Sequence, residues 1–182
     1  LDALNRAYWS AFWSHTYTDW SQIESPSPIG EQSVHAQKLD WKRFTTDQFR
    51  KWYRIEVEPL KRITPDVPCT TNLMGIYPGI NYFDLAKDLD FVCWDSYPQW
   101  ENTENDIATA QFFSFEHDLT RGLKGGRPFF LMESCPSATN WRPYARLHRP
   151  GVHALQSMQA VGHGADSVQY FQFRKSRGSS EK

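Results

Sequence analysis

Short apolar runs alternate with longer amphipathic stretches along the chain, and this alternation limits the possible folds more than any other feature of the sequence. Four runs predict strands, at residues 69–74, 91–94, 128–132 and 167–173. They are bounded mainly by Pro, Gly and Asp, which commonly interrupt regular structure. Their continuous apolar character favours a parallel sheet buried on both faces over a sandwich with alternating polar positions.

The stretches between these runs carry the apolar periodicity of helices. Helices are predicted at residues 46–63, 81–89, 106–123 and 150–161, with a further helix at the start of the chain. A Thr-Thr-Asp sequence at residues 45–47 predicts where the helix before the first strand begins. Residues 13–40, rich in Ser, Pro and Gly, are predicted to form a long loop at the rim of an active site.

Strands that alternate with helices build parallel βαβ units. The predicted fold is therefore α/β, part of a (β/α)₈ TIM barrel containing roughly its last four β/α units. A complete barrel needs about 250 residues, and the chain has 182. A doubly wound sheet, the alternative, would often carry a Gly-rich phosphate loop after its first strand, and residues 70–75 (TTNLMG) do not form one.

Composition argues against several classes of function. The net charge is −1, from 20 basic and 21 acidic residues that are interspersed, so no basic surface for nucleic acid is expected. No apolar run reaches the roughly 18 residues of a membrane span. The three cysteines, Cys69, Cys93 and Cys135, are too widely spaced for a CxxC metal site, and buried thiols of a reducing compartment are predicted. Neither a metal nor a cofactor is expected.

The residues that leave each predicted strand are the candidates for chemistry, because active sites of such barrels lie at the carboxyl ends of the strands. They are Asn72, Asp95 with Tyr97, Glu133, and residues 172–174. Glu133 directly follows an apolar run and is the strongest candidate, the alternative being a structural Glu paired with an arginine. For Asp95, which precedes Ser and Tyr-Pro, a turn-forming or supporting role is favoured. An aromatic content of 15 % suits rings that stack on sugars, although a barrel core also uses aromatic residues.

Three stretches point to a function through their sequence as well as through their position: residues 11–20 (AFWSHTYTDW), 130–141 (FLMESCPSATNW) and 168–182 (VQYFQFRKSRGSSEK). In sequence and order they resemble motifs of the glycoside hydrolase family 42 β-galactosidases. The resemblance implies a retaining glycosidase of terminal β-D-galactosides, in which Glu133, in Leu-Met-Glu-Ser, is the catalytic nucleophile. One departure is Cys135, which stands before Pro where the family has Thr. A small residue replaces a small residue, so little effect on the nucleophile is expected.

The resemblance also implies a set of substrate-binding residues. Trp13 and Trp141 correspond to aromatic walls of the galactose pocket. Glu181 corresponds to the acid that holds galactose hydroxyls. Tyr97 and Phe171 correspond to further aromatic residues of the pocket.

Residues 1–182 are predicted to be the C-terminal part of the catalytic TIM-barrel domain, truncated at both ends. The family's acid/base lies in an Asn-Glu-Tyr motif on an earlier strand, which is expected upstream of Leu1. The cysteine cluster that binds zinc in some members is expected there too. The expected substrate is a β-galactoside, with no nucleic-acid or membrane partner, and the expected setting is a bacterial cytoplasmic protein that forms a homotrimer at full length.

Two rival functions share many of these features. Another retaining barrel glycosidase, a β-glucanase or β-mannanase, has the same strand-end Glu but does not explain residues 178–181 (GSSE). A non-catalytic carbohydrate-binding protein on a decayed barrel is the second rival, because a fold alone does not establish a function. An intact Asn-Glu pair in the full-length gene would argue against the second.

Overall fold

Four parallel strands form the sheet at the centre of the molecule. The structure is a computed structural model that describes residues 1–26, 34–100, 103–136, 147–174 and 177–178, without the side chains of Ser10, Trp13 and Thr103. The strands are β1 (Asn72–Leu73), β2 (Cys93–Ser96), β3 (Phe129–Ser134) and β4 (Ala165–Val168). They pair in chain order, all parallel, as expected for consecutive β/α units of a barrel.

Five α-helices accompany the sheet in the described part of the chain. They are α1 (Asp2–Tyr8), α2 (His35–Ile63), α3 (Tyr82–Leu85), α4 (Asp106–Gly122) and α5 (Val152–Gly162). The last two match the predicted helices closely, whereas α3 is shorter than predicted. No helix in this part of the chain is long and apolar enough to cross a bilayer.

Helix α2 begins eleven residues before the predicted start, so residues 35–40 are helical and not part of a rim loop. The predicted boundary rested on Thr45 and Thr46 as capping residues. Instead, the hydroxyl of Thr45 donates to the carbonyl of Trp41, and that of Thr46 to the carbonyl of Lys42. This bonding to the carbonyl four residues earlier is a helix-interior pattern, which explains why the capping prediction was wrong.

Two strands are shorter than their apolar runs. The run at 69–74 contributes only β1, because side chains take over the bonding before it: the hydroxyl of Thr70 donates to the carbonyl of Phe91 at 2.6 Å. The run at 167–173 is regular only to Val168, and thereafter isolated bonds to β3 continue, such as Phe171 N to the carbonyl of Ser134 at 2.9 Å. Beyond Val168 the chain therefore runs beside β3 without forming a regular ladder of hydrogen bonds.

The core lies between the sheet and the helices. Its largest fully buried side chains include Trp94, Phe129 and Leu131. The ring of His117 in α4 stacks on Phe129 and meets Trp94 edge-on, with centroids 5.5 and 5.1 Å apart. Cys93 and Cys135 are buried thiols, as predicted, while Cys69 is half-buried.

The apolar periodicity that predicted the helices only partly marks the faces that they bury. In α4 the buried residues are Glu116, His117 and Thr120, whereas Phe112 and Phe115 are 51 % and 57 % exposed. In α5 the side chains of Leu155 and Met158 are likewise exposed. Outer helices of a barrel also pack against neighbouring units, so periodicity located these helices without identifying the face that meets this sheet.

The buried His117 makes folding dependent on pH. Burial, helped by the nearby His163, lowers the pKa of His117 to about 4. In the unfolded chain a histidine takes up its proton near pH 6.5, so the folded state loses stability as the pH falls from 6.5 towards 4. A depression of this size corresponds to about 3 kcal/mol.

We therefore expect thermal unfolding of the full-length protein between pH 7 and pH 4.5 to show a smaller loss of melting temperature in His117→Phe than in the wild type. The exposed His35 offers a matched control, since His35→Phe removes a titratable ring without removing a buried one. If the melting temperature depends equally on pH in the wild type and in His117→Phe, His117 is not the source of the stability lost at low pH.

Candidate active site

Side chains from three strands meet at the carboxyl edge of the sheet. Asn72 is in β1, Asp95 is in β2 with Tyr97 just beyond it, and Glu133 is in β3. Because parallel strands end at the same edge, these four of the side chains that the sequence singled out lie close together. Two hydrogen bonds among them show this directly: Tyr97 to Glu133, and Asn72 to Asp95.

A bulge in β3 sets the direction of Glu133. Trp94 pairs with Leu131, but the next residue, Asp95, pairs with Glu133, so Met132 is the extra residue on β3. Phe129 and Leu131 are buried towards the helices. In an uninterrupted strand Glu133 would point the same way, since side chains alternate with a period of two. The extra residue moves Glu133 to the opposite face and leaves Ser134 buried on the helix side.

Tyr97 holds the Glu133 carboxylate. Its hydroxyl donates to Glu133 Oε2 across 2.5 Å. Burial, then the hydrogen bond and the charge of Glu133, raise the pKa of Tyr97 far above its ordinary value, so the phenol keeps its proton. In the described part of the chain Tyr97 is the hydrogen-bond donor to Glu133, and Asn72 donates elsewhere.

Asp95 is the second acid of the site. Asn72 Nδ2 donates to its Oδ2 across 2.5 Å. Burial raises the pKa of Asp95 to about 6, and the charge of Glu133 adds to this while the bond from Asn72 opposes it. The carboxyl group of Asp95 thus accepts a bond from a neighbouring strand, and its supporting role stays a prediction. A turn-forming role is not seen, because Asp95 lies within β2.

A buried polar network supports the residues next to Glu133. Gln156 in α5 donates through Nε2 to Ser134 Oγ and to the carbonyl of Cys135, at 3.0 and 2.9 Å. Its Oε1 accepts from the indole nitrogen of Trp100 at 2.9 Å. Sequence reasoning missed Gln156, because a glutamine between Leu155 and Ser157 carries no signal for burial. The bonds fix the position of the strand end that bears Glu133.

The other predicted pocket residues are placed only in part. Phe171 follows β4, is 38 % exposed, and its backbone nitrogen donates to the carbonyl of Ser134 at 2.9 Å, so it lies beside the end of β3. Trp13 ends a short 3₁₀ helix, Ser10–Trp13, but its side chain is outside the description. Trp141 and Glu181 fall outside the described residues. Among those described, no group of three or more His, Cys, Asp or Glu is placed to hold a metal ion.

Comparison with known proteins gives consistent matches along the whole chain. The family model described as Beta-galactosidase, that of glycoside hydrolase family 42, matches residues 1–182. β-Galactosidase BglY of Alicyclobacillus acidocaldarius is 59 % identical over 182 residues, covering 100 % of this chain and 26 % of that protein. β-Galactosidase GalA of Bacillus licheniformis is 52 % identical over 189 residues, covering 100 % and 28 %.

A solved structure agrees with the sequence comparisons. The crystal structure of a β-galactosidase from Rahnella sp. R3 superposes with a TM-score of 0.92 at 58 % identity, covering 98 % of this chain and 26 % of that one. The chain thus spans about a quarter of the length of the relatives that it matches. The four-stranded sheet is part of a (β/α)₈ barrel, as the sequence predicted. Matched by the family model over its whole length, the chain belongs to glycoside hydrolase family 42, the β-galactosidase family.

Proposed function

We propose that the full-length protein containing this chain is a retaining β-galactosidase and that Glu133 is its nucleophile. The observation that carries the proposal is the Glu133 carboxylate at the carboxyl end of β3, held by the hydroxyl of Tyr97. A nucleophilic carboxylate must be fixed in direction, and the hydroxyl of Tyr97 provides this by donating to one of its oxygens. Membership of family 42 supports the choice of a β-galactoside as substrate.

The first step of the proposed reaction is galactosylation. One oxygen of Glu133 attacks the anomeric carbon and forms an ester bond, while the bond from that carbon to the glycosidic oxygen breaks. The electron pair of the broken bond stays on the leaving oxygen, which takes a proton from a second carboxyl group. We assign that proton donor to the Asn-Glu-Tyr motif that the family resemblance implies elsewhere in the full-length protein.

The second step hydrolyses the ester. The second carboxylate takes a proton from water as the water oxygen attacks the anomeric carbon, and the ester electrons return to Glu133. Two displacements at one carbon restore the β configuration of galactose. In retaining enzymes the two carboxyl groups are about 5–5.5 Å apart, a separation that a structure of the full-length protein would measure.

Aromatic residues complete the proposed galactose pocket. Phe171 is a suitable wall, since it lies beside the end of β3 with part of its ring exposed. Trp13 and Trp141 are proposed as further walls and Glu181 as the acid that binds galactose hydroxyls, all on the family resemblance alone. Aromatic faces pack well on the apolar side of a sugar ring.

The relatives support a bacterial origin for the proposed enzyme. The curated relatives named above are bacterial β-galactosidases, so we propose a bacterial enzyme that acts on galactosides. Its cytoplasmic location, its homotrimeric assembly, the identity of these residues as the C-terminal part of the catalytic domain, and the absence of nucleic-acid and membrane partners stay predictions from the sequence.

Covalent labelling tests the proposal. A 2-deoxy-2-fluoro-β-galactosyl fluoride should react with the full-length protein and stop at the ester, because the fluorine at carbon 2 slows both steps while the fluoride leaving group speeds the first. Digestion and peptide mass spectrometry should locate one fluorogalactosyl group on Glu133. A label on another residue would remove Glu133 from the mechanism.

Matched sugars separate the rival functions. The corresponding gluco and manno fluorides should label the protein far more slowly than the galacto reagent. Preferential labelling by either would favour a β-glucanase or a β-mannanase. An unlabelled, folded protein would favour a non-catalytic carbohydrate-binding barrel.

A further inference from the structure

The carboxyl group of Asp95 lies beside the proposed nucleophile, and the two-step reaction described above gives it no role. Asp95 and Glu133 are direct partners in the register of β2 and β3, immediately after the bulge. We propose that Asp95 is a positioning residue whose negative charge, when present, promotes attack by Glu133 in the galactosylation step. This inference rests on the proposed function. It adds that the charge of Asp95 controls how readily Glu133 attacks the substrate.

The contacts of Asp95 make its charge responsive to its surroundings. Oδ2 accepts the bond from Asn72, but Oδ1 is inaccessible to solvent and has no hydrogen-bond partner in the described part of the chain. A buried carboxylate oxygen without a donor disfavours ionisation. The pKa of about 6 that burial gives to Asp95 agrees with this arrangement.

The groups around Asp95 leave its repulsion with Glu133 largely uncompensated. The titratable groups that face it, besides Glu133, are Tyr82 beyond β1, Cys93 in β2 and Tyr97. Burial raises the pKa of each of these three groups, so they are neutral where Asp95 titrates. Within the described residues, none of the ion pairs involves Asp95 or Glu133.

The direction of the effect follows from the charge that Glu133 loses. In the resting enzyme two carboxylates repel each other whenever Asp95 is ionised. Formation of the galactosyl ester neutralises Glu133 and relieves that repulsion, so ionised Asp95 favours galactosylation. The coupling is reciprocal: removing the charge of Glu133 must lower the pKa of Asp95.

The first test is the pH dependence of labelling in Asp95→Asn, an isosteric neutral variant that keeps an acceptor for Asn72. We measure the rate of labelling by the fluorogalactosyl fluoride, which reports galactosylation alone, and divide the rate for the wild type by that for the variant at each pH. The ratio should rise from below about two at pH 5 to about three to ten at pH 7.5, where one pKa unit of coupling corresponds to tenfold. Its midpoint should lie near pH 6, where Asp95 titrates.

A flat ratio across this range would overturn the inference, because a merely structural role lowers the rate equally at every pH. Asp166→Asn is the matched control, since Asp166 is an exposed carboxyl group in β4 of the same sheet. Its ratio should stay near one throughout. Failure of the proposed function is separately visible, because the wild-type protein would then not be labelled on Glu133 at all.

The second test needs no activity. The infrared band of a protonated carboxyl group should include a component that titrates in the wild type and is missing from Asp95→Asn. In Glu133→Gln the midpoint of that component should move to lower pH, as removal of the neighbouring charge requires. An unchanged midpoint would show that the two carboxyl groups are not coupled and would overturn the inference.

Discussion

Replacing Glu133 with alanine in the full-length protein is expected to lower the turnover of an aryl β-galactoside by about 10⁴-fold or more. Loss of a nucleophile removes the covalent pathway and leaves only substrate binding and the proton donor, and deletions of this kind in other enzymes cost comparable factors. The alanine side chain also leaves space beside the anomeric carbon. Added azide should enter this space and restore part of the turnover.

The product of the rescued reaction identifies the role of Glu133. Azide attacks from the face that Glu133 occupies, so a single displacement gives the α-galactosyl azide, whereas two displacements in the wild type retain the β configuration. Nuclear magnetic resonance of the product distinguishes the two anomers. Turnover near the wild-type rate in Glu133→Ala, or a β-galactosyl azide, would contradict the assignment.

A second buried glutamate supplies the control. Glu116 in α4 is buried and accepts a bond from the backbone nitrogen of Ile76 at 3.0 Å. Glu116→Gln keeps an acceptor for this bond while removing an acid. Its turnover should stay within a few-fold of the wild type, and azide should not change it. Loss of activity in Glu133→Ala would then not be a general effect of removing a partly buried carboxylate.

Much of the fold could be predicted because the apolar runs directly encode the strands. The four runs correspond to β1 to β4 in chain order, and right-handed βαβ connections leave few ways to arrange them. Glu133 could be found because it directly follows the apolar residues 129–132. Position along a strand was therefore predictable. The direction of the side chain was not.

The direction of Glu133 depends on pairing between strands. Had β3 been regular, the period of two would have placed Glu133 with Phe129 and Leu131, facing the helices. The extra residue, Met132, appears only in the register with Trp94 and Asp95 on β2. Nothing in the local sequence distinguishes Met132 from its apolar neighbours, so the bulge is a tertiary property. The same holds for the acidity of Asp95, which burial between neighbouring strands determines.

Some features of the helices could likewise be predicted from the sequence, and others could not. Their number and the approximate ends of α4 and α5 follow from periodicity, but local sequence misled where polar side chains bond within the helix. Thr45 and Thr46 have the residue type of a cap and the bonding of a helix interior. Gln156 and Glu116 are polar residues on buried faces, with partners that are distant in sequence. Each of these contacts forms only after the units have packed together.

The 182 residues expressed alone are expected to turn over an aryl β-galactoside at least about 10⁴-fold more slowly than the full-length protein. A complete barrel has eight strands, whereas β1 and β4 are the two ends of the sheet in the described part of this chain, so both have an unpaired edge. Large apolar side chains are exposed on the helices, including Trp52 in α2 and Phe115 in α4. Such a piece should aggregate or bind a hydrophobic dye, which sizing and dye fluorescence measure.

The absence of a proton donor is a second and independent reason to expect slow turnover by the isolated chain. General acid catalysis contributes about 10²–10⁴-fold, and precise positioning of the two carboxyl groups contributes further. We place the proton donor outside these residues, so the chain alone holds the nucleophile without its partner. Within it, Glu24 and Glu31, which precede α2 in the sequence, and Asp95 beside Glu133 are the acids that can be tested as substitutes. Robust turnover by the isolated chain that is lost in Glu24→Gln, Glu31→Gln or Asp95→Asn would show that the proton donor has been misplaced. Turnover that survives all three substitutions would contradict the two-carboxylate mechanism itself.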